Sequence, residues 1–183
     1  MSEQAQAPTL LASAEEVLRD RAASLAREAE QSAEVDLLSL LLFRVADEWY
    51  AVPLSDVREI MQDFSITPIP CVPDFIQGVT NVRGEILSVT EAARLMRVSG
   101  PAPSAVAAAP AVVIAAEGVA TALIVDEIGD IAEVAEHDVE PPVSAADRIR
   151  SEFVSASIEI EGRVVALANT ERILAPVVTA GRH

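Results

Sequence analysis

The chain has 183 residues, half of them hydrophobic but only 3% aromatic, and its formal net charge of −16 disfavours binding to nucleic acid or to anionic membrane surfaces. Its 13 basic residues are all arginine, and its single cysteine, Cys71, excludes an internal disulfide and suits a reducing cytoplasm. The longest apolar run, Ala105 to Ala116, is broken by Pro110 and ends at Glu117, whereas a membrane-spanning helix needs about 20 apolar residues; no basic flank precedes an apolar stretch at the N-terminus, so a soluble cytoplasmic protein without membrane insertion is expected.

Residues 1–36 form a first segment, rich in Ala, Glu, Gln and Arg and without glycine. Ser13 and Glu16 read as a capping box, Glu15 and Arg19 can pair across one turn, and Leu11, Ala14, Leu18, Ala22, Leu25 and Ala29 recur three or four apart. The pattern predicts a helix over residues 11–31. Its stripe is mostly alanine and buries little area, so it is either a solvated extension or a helix that docks on a partner.

From residue 37 the texture changes to short strand-like runs. Leu40–Val45 and Trp49–Val52 flank Ala46-Asp47-Glu48; Val79–Val82 and Glu85–Val89 flank Arg83-Gly84; Val112–Ala116 and Val119–Val125 flank Glu117-Gly118; Ile158–Ile160 and Arg163–Leu167 flank Glu161-Gly162. Each reads as a hairpin, and in the last three the glycine can supply the positive φ of a tight turn. The order then repeats. Hairpin, strand-like run (Val57–Met61), Pro-rich connection, hairpin and short helical run (Glu91–Met96) are followed by hairpin, strand-like run (Ile128–Val134), Pro-containing connection, hairpin and short helical run (Thr170–Leu174). This implies an all-β fold of two similar lobes, each a five-stranded barrel that hides its sheet edges. Lobe one is expected over about 37–98, a linker over about 99–110, lobe two over about 111–176, and a flexible tail over 177–183, with Leu42, Val79, Ile86, Val113, Ile124 and Leu167 in the core.

The run Phe75-Ile76-Gln77-Gly78-Val79-Thr80-Asn81-Val82-Arg83-Gly84-Glu85-Ile86 resembles the signature of the CheW family of chemotaxis coupling proteins, a Gly-Val-x-Asn-hydrophobic-Arg-Gly turn leading into an apolar strand. Phe43-x-Val45 with Trp49-Tyr50-Ala51-Val52-Pro53 is similar to the opening hairpin of that family, Val57-Arg58-Glu59-Ile60 to the next strand, and Leu123-Ile124-Val125-Asp126-x-Ile128 to the Val-Asp-x-Val run of its second lobe. The match covers about residues 38–176 in the right order and leaves out the opening segment. The resemblance implies two SH3-like barrels packed together and a scaffold without enzymatic activity or cofactor. It implies, as partners, the regulatory domain of a CheA-type histidine kinase and the helical tip of a methyl-accepting chemoreceptor, the latter received in the groove between lobes. One lobe would bind the kinase regulatory domain, and the other lobe would help close rings and lattices of a receptor array. Carried over by motif, Arg83, Asn81 and Gly84 form the turn that faces these partners, and Val57 and Glu59 lie on the neighbouring strand used in the same contacts. An arginine at a hairpin tip carries a fixed charge away from the backbone and can grip a carboxylate with two prongs. Alternatively, Arg83 is a polar turn residue and Asn81 bonds local backbone.

The chain departs from the family after the turn. Where the family has Pro, an apolar pair and Asp-Leu, Ser88, Val89, Thr90, Glu91 and Ala92 occur. Glu117, Asp126, Glu127, Asp130, Glu133, Glu136, Asp138 and Glu140 crowd a stretch without arginine, which reads as a solvated face or as a surface for a basic partner. An adaptor is therefore weighed against an acidic antagonist or chaperone that joins no array, and against a small cysteine-dependent enzyme. For the last, only Cys71 offers a nucleophile, far in sequence from His137 and His183. Glu136-His137-Asp138 lacks metal-ligand spacing, and no glycine-rich phosphate loop occurs.

Overall fold

The computed structural model describes residues 37–98, 109–142 and 152–180. The helix expected over 11–31 and most of the expected linker lie outside the described residues. Among the described residues ten strands and two α-helices follow in order: β1 (Leu37–Val45), β2 (Glu48–Pro53), β3 (Val57–Met61), β4 (Ile76–Val82), β5 (Glu85–Glu91), α1 (Ala92–Leu95), β6 (Ala111–Ala116), β7 (Val119–Ile124), β8 (Glu127–Ala135), β9 (Val154–Ile160), β10 (Arg163–Ala168) and α2 (Thr170–Ala180). The all-β, two-lobed architecture read from the sequence is present as two five-stranded sheets.

The turn chemistry explains the hairpins. Arg83 and Gly84 have φ of 53° and 92°, Glu117 and Gly118 51° and 81°, Glu161 and Gly162 52° and 74°. Two successive left-handed residues make the turn whose twist matches that of its strands. Ala46, with φ 54°, takes this conformation without a glycine neighbour. Its amide donates to the Asp126 carboxylate, the Asp126 amide donates to the Arg44 carbonyl at 2.9 Å, and Arg44 Nη1 donates to the Ala46 carbonyl at 2.7 Å. The Val-Asp run of the sequence is thus a stitch that holds the first turn.

The strands are not divided between the sheets in the way the repeat suggests. Sheet one runs β8-β1-β2-β10-β9 and sheet two β3-β6-β7-β5-β4. Each therefore takes one hairpin from one half of the chain and three strands from the other, which corrects the expectation of contiguous lobes at about 37–98 and 111–176. The two sheets repeat one pairing scheme down to the register. Phe43 stands against Ile128 as Ile114 stands against Val57, and Leu41 against Ile131 as Val112 against Ile60, with a bulge at the same place in each pair.

The reason lies in β1, β2, β6 and β7, which are apolar on both faces. One face of β1–β2 puts Leu40 and Ala51 into the interior of sheet one; the other puts Leu41, Phe43, Val45, Tyr50 and Val52 into a core shared with Val112, Ile114 and Leu123 of sheet two and with Val125 just after β7. Strands buried on both faces must be central, so each swapped hairpin needs flanking strands from elsewhere. Phe43 and Tyr50 stack in this shared core at 5.9 Å between ring centroids. Leu95 and Met96 of α1 and its end, and Ile173 and Leu174 of α2, close it.

Two details differ from expectation. Of the six expected core residues, Val113 and Ile124 are buried and Leu42, Val79 and Leu167 are half-buried, but Ile86 is 63% exposed. Ile86 pairs with Asn81 on the outward face, and Leu87 and Val89 turn inward in its place. The last helix also runs through the expected flexible tail to Ala180, with Pro176 inside it, because Ile173, Leu174 and Val177 pack their side chains against the sheets.

Candidate functional site: the β4–β5 turn and β3

The turn is built from its own side chains. Asn81 Oδ1 accepts a hydrogen bond from the Gly84 amide at 2.8 Å, so asparagine two residues before the arginine holds the hairpin tip closed. The arginine then reaches sideways. Arg83 Nε lies 3.0 Å from Glu59 Oε2 and Nη2 donates to Glu59 Oε1 at 3.2 Å, a two-pronged grip in which Arg83 stays 81% exposed and Glu59 29%. Beside it Arg58 Nη1 meets Glu85 Oε2 at 3.3 Å. β3 is one outer strand of sheet two, and Arg83 and Glu85 belong to the β4–β5 hairpin at its other side, so these pairs reach across the sheet, which curls back on itself. Met61 of β3 and Val82 of β4 pack on one interior cluster, as such a curl requires.

Of the residues singled out in the sequence, Arg83, Asn81, Gly84 and Glu59 are thus brought together. Val57 lies on the same strand as Glu59, across a bulge, half-buried and packed against the shared core. Arg58 and Glu85 were missed, and so were the exposed side chains of Ile60 and Ile86, which the register leaves outside. No local signal marks Arg58–Glu85, because the partners meet only when the sheet curls.

The glycine of the motif has a different task. A Cβ on Gly78 would sit 2.3 Å from the Thr67 carbonyl oxygen, and its φ is +149°. The 62–75 connection crosses β4 there, with Thr67 and Val79 exchanging backbone hydrogen bonds at 2.8 and 2.9 Å. The end of that connection is held by Glu91, 5% exposed, whose carboxylate takes Gln77 Nε2 and Arg94 Nε, each at 2.9 Å. The departures from the family run form a network of their own. Thr121 Oγ1 donates to the Ser88 carbonyl at 2.9 Å and lies 2.8 Å from Ser88 Oγ and 2.9 Å from Thr90 Oγ1, tying the parallel β5–β7 pair. Cys71 is exposed in the 62–75 connection, and His137 lies 3.5 Å from Asp138 in a turn after β8. Among the described residues no group of three metal-binding side chains occurs, and no helix is long and apolar enough to cross a membrane.

Comparison with known proteins agrees with this geometry. The family model described as "CheW-like domain" matches residues 39–177. The chemotaxis protein CheW of Rhizobium meliloti (strain 1021) is 31% identical over 136 residues, covering 73% of this chain and 85% of that one. Protein FrzA of Myxococcus xanthus is 43% identical over 54 residues, 30% of this chain and 34% of its own. The crystal structure of the scaffolding protein TtCheW from Thermoanaerobacter tengcongensis superposes with a TM-score of 0.68 at 25% identity, covering 75% of this chain and 92% of that one. The chain belongs to the CheW family of chemotaxis adaptor proteins.

Proposed function

We propose that this protein couples chemoreceptors to a CheA-type histidine kinase in a cytoplasmic array, as a non-enzymatic scaffold, through the face formed by Arg83, Asn81, Gly84, Val57 and Glu59. The observation that carries the reading is the exposed guanidinium at the hairpin tip. Glu59 fixes its orientation, and the open guanidinium edge is left for a carboxylate of the partner. Glu59 acts as a positioning residue here, and Asn81 and Gly84 shape the turn rather than meet the partner themselves. The exposed Ile60 and Ile86 add apolar area beside the charge. Apart from Asp130, the acidic stretch of β8 and the turn after it is a solvated face in this reading, and neither the antagonist nor the cysteine enzyme is favoured by the relatives found.

The test must separate the strut across sheet two from the contact. Arg83→Glu removes both, so it is compared with the charge swap Arg83→Glu/Glu59→Arg, which restores the internal pair with its polarity reversed. Calorimetric titration against the CheA regulatory domain and a receptor hairpin, with circular dichroism as folding control, should show at least several-fold weaker binding for both variants. Full recovery in the swap would mean that the pair only braces the sheet, and the proposal would fall.

A further inference from the structure

Because the sheets share one pairing scheme, each residue around the curl of sheet two has a counterpart in sheet one. Ile128 stands where Val57 stands, so Gly129 and Asp130 correspond to Arg58 and Glu59. Ile160 faces Arg163 across Glu161-Gly162 as Val82 faces Glu85 across Arg83-Gly84, so Glu161 corresponds to Arg83 and Arg163 to Glu85. Trp49, opposite Arg44, corresponds to Ala120, opposite Ala115. Sheet two is bridged here by Glu59–Arg83 and Arg58–Glu85. The same places in sheet one hold two carboxylates, Asp130 and Glu161, and a glycine opposite an arginine.

What replaces the ion pairs is an aromatic wall. Trp49 lies against Gly129 so closely that a Cβ there would come within 2.7 Å of the indole Cζ3, and the Arg163 guanidinium stacks 4.8 Å from the indole centroid. Leu42, Ile160 and Val165 line a groove here together with Asp130, Glu161, Arg163 and Glu127, the last of which is paired with Arg44. Among the described residues neither Asp130 nor Glu161 has a salt-bridge partner. The exposed side chains of Val164 and Ile131, 60% and 56%, lie on the strands that flank the groove.

We propose that this groove is a docking site for an arginine side chain of a partner protein, distinct from the Arg83 face. The incoming guanidinium takes the place that Arg83 holds in sheet two and is shared by Asp130 and Glu161. The apolar neighbours of that arginine cover Val164. Charge complementarity and the matching position in the other sheet name the occupant: in sheet two the counterpart carboxylate, Glu59, does hold a guanidinium in two-pronged contact. Arg163 lies on the indole instead, and among the described residues it forms no salt bridge with either carboxylate.

Trp49 is the sole tryptophan and reports the groove directly. The probe is an acetylated, amidated pentapeptide, Ala-Leu-Arg-Leu-Ala, titrated against the full chain by tryptophan fluorescence. A version with neutral citrulline in place of arginine is the control. A saturable signal is expected with the arginine peptide. It should weaken at least about threefold with citrulline and in Asp130→Asn/Glu161→Gln, the order expected for an exposed ion pair. Glu133→Gln/Glu136→Gln, which removes equal charge outside the groove, should leave it unchanged. Circular dichroism confirms folding of each variant. No saturable signal, equal binding of the citrulline peptide, or equal loss in both double variants would overturn the proposal. Because the peptide assay does not involve the Arg83 face, its failure leaves the coupling function standing.

Discussion

Arg83 sits in a left-handed conformation, φ 53°, that favours asparagine and glycine over long side chains, at a cost of order 1 kcal/mol. Its ion pair with Glu59 is mostly exposed and returns at most about that much. The residue is therefore close to neutral for stability, and its value lies in what its side chain meets. Arg83→Gly should leave the melting temperature within a few degrees of the parent, while binding to the kinase domain and receptor hairpin falls several-fold; scanning calorimetry and titration check the two halves separately. Asn81→Ala should behave in the opposite way. It removes the acceptor of the Gly84 amide and should cost about 1 kcal/mol, measurable by urea denaturation, with binding weakened only as far as the turn loosens. Gly78→Ala is the severe case, since its Cβ would overlap a backbone carbonyl; a loss of more than about 2 kcal/mol is expected in the same assay.

Among the elements, the parallel β5–β7 pair depends on three hydroxyls that hydrophobic residues could have replaced. Thr121 and Thr90 are fully buried, and Thr121 Oγ1 serves both Ser88 and Thr90. Thr121→Val strands two hydroxyl groups at once and should cost about 1–3 kcal/mol. The triple change Ser88→Ala/Thr90→Val/Thr121→Val removes all of the polar groups together and should recover most of that loss. Urea unfolding of both variants tests this, and an equal loss in the two would show that packing rather than hydrogen bonding sets the cost. This network explains how the chain departs from the family run without changing the sheet.

At the scale of the molecule, the exchange of hairpins makes each half of the chain dependent on the other. Residues 37–98 contain β1–β2 but neither β8 nor β10, the strands that flank them. Residues 111–180 contain β6–β7 but neither β3 nor β5. Cleaving the chain between residues 99 and 110 should give two fragments that each lack a cooperative thermal transition and regain one when mixed, with Trp49 fluorescence and circular dichroism as the readouts. A cooperative transition in either fragment alone would show that it closes its own core.

Much of this was legible in one dimension because it depends on near neighbours. X-Gly pairs set the turns, runs such as Leu40–Val45 announced strands, and the spacing of Gly78, Asn81 and Arg83 marked the site. The repeat was visible as well, but not its exchange. The same hairpins and spacings serve contiguous or swapped lobes, and the choice falls to which sheet covers both faces of β1–β2 and β6–β7. Ile86 was misplaced for a related reason: apolarity alone does not give parity, and a strand register shifted by one residue reverses inside and outside. The Arg83–Glu59 and Arg58–Glu85 contacts, and the tryptophan-walled groove in their counterpart position, follow from the curl of each sheet. Sequence by itself determined the strands, the turns and the family motif through local backbone preference. Only the tertiary structure decided which strands pair, which charges meet and which are left without a partner, because those energies arise between residues far apart in the chain.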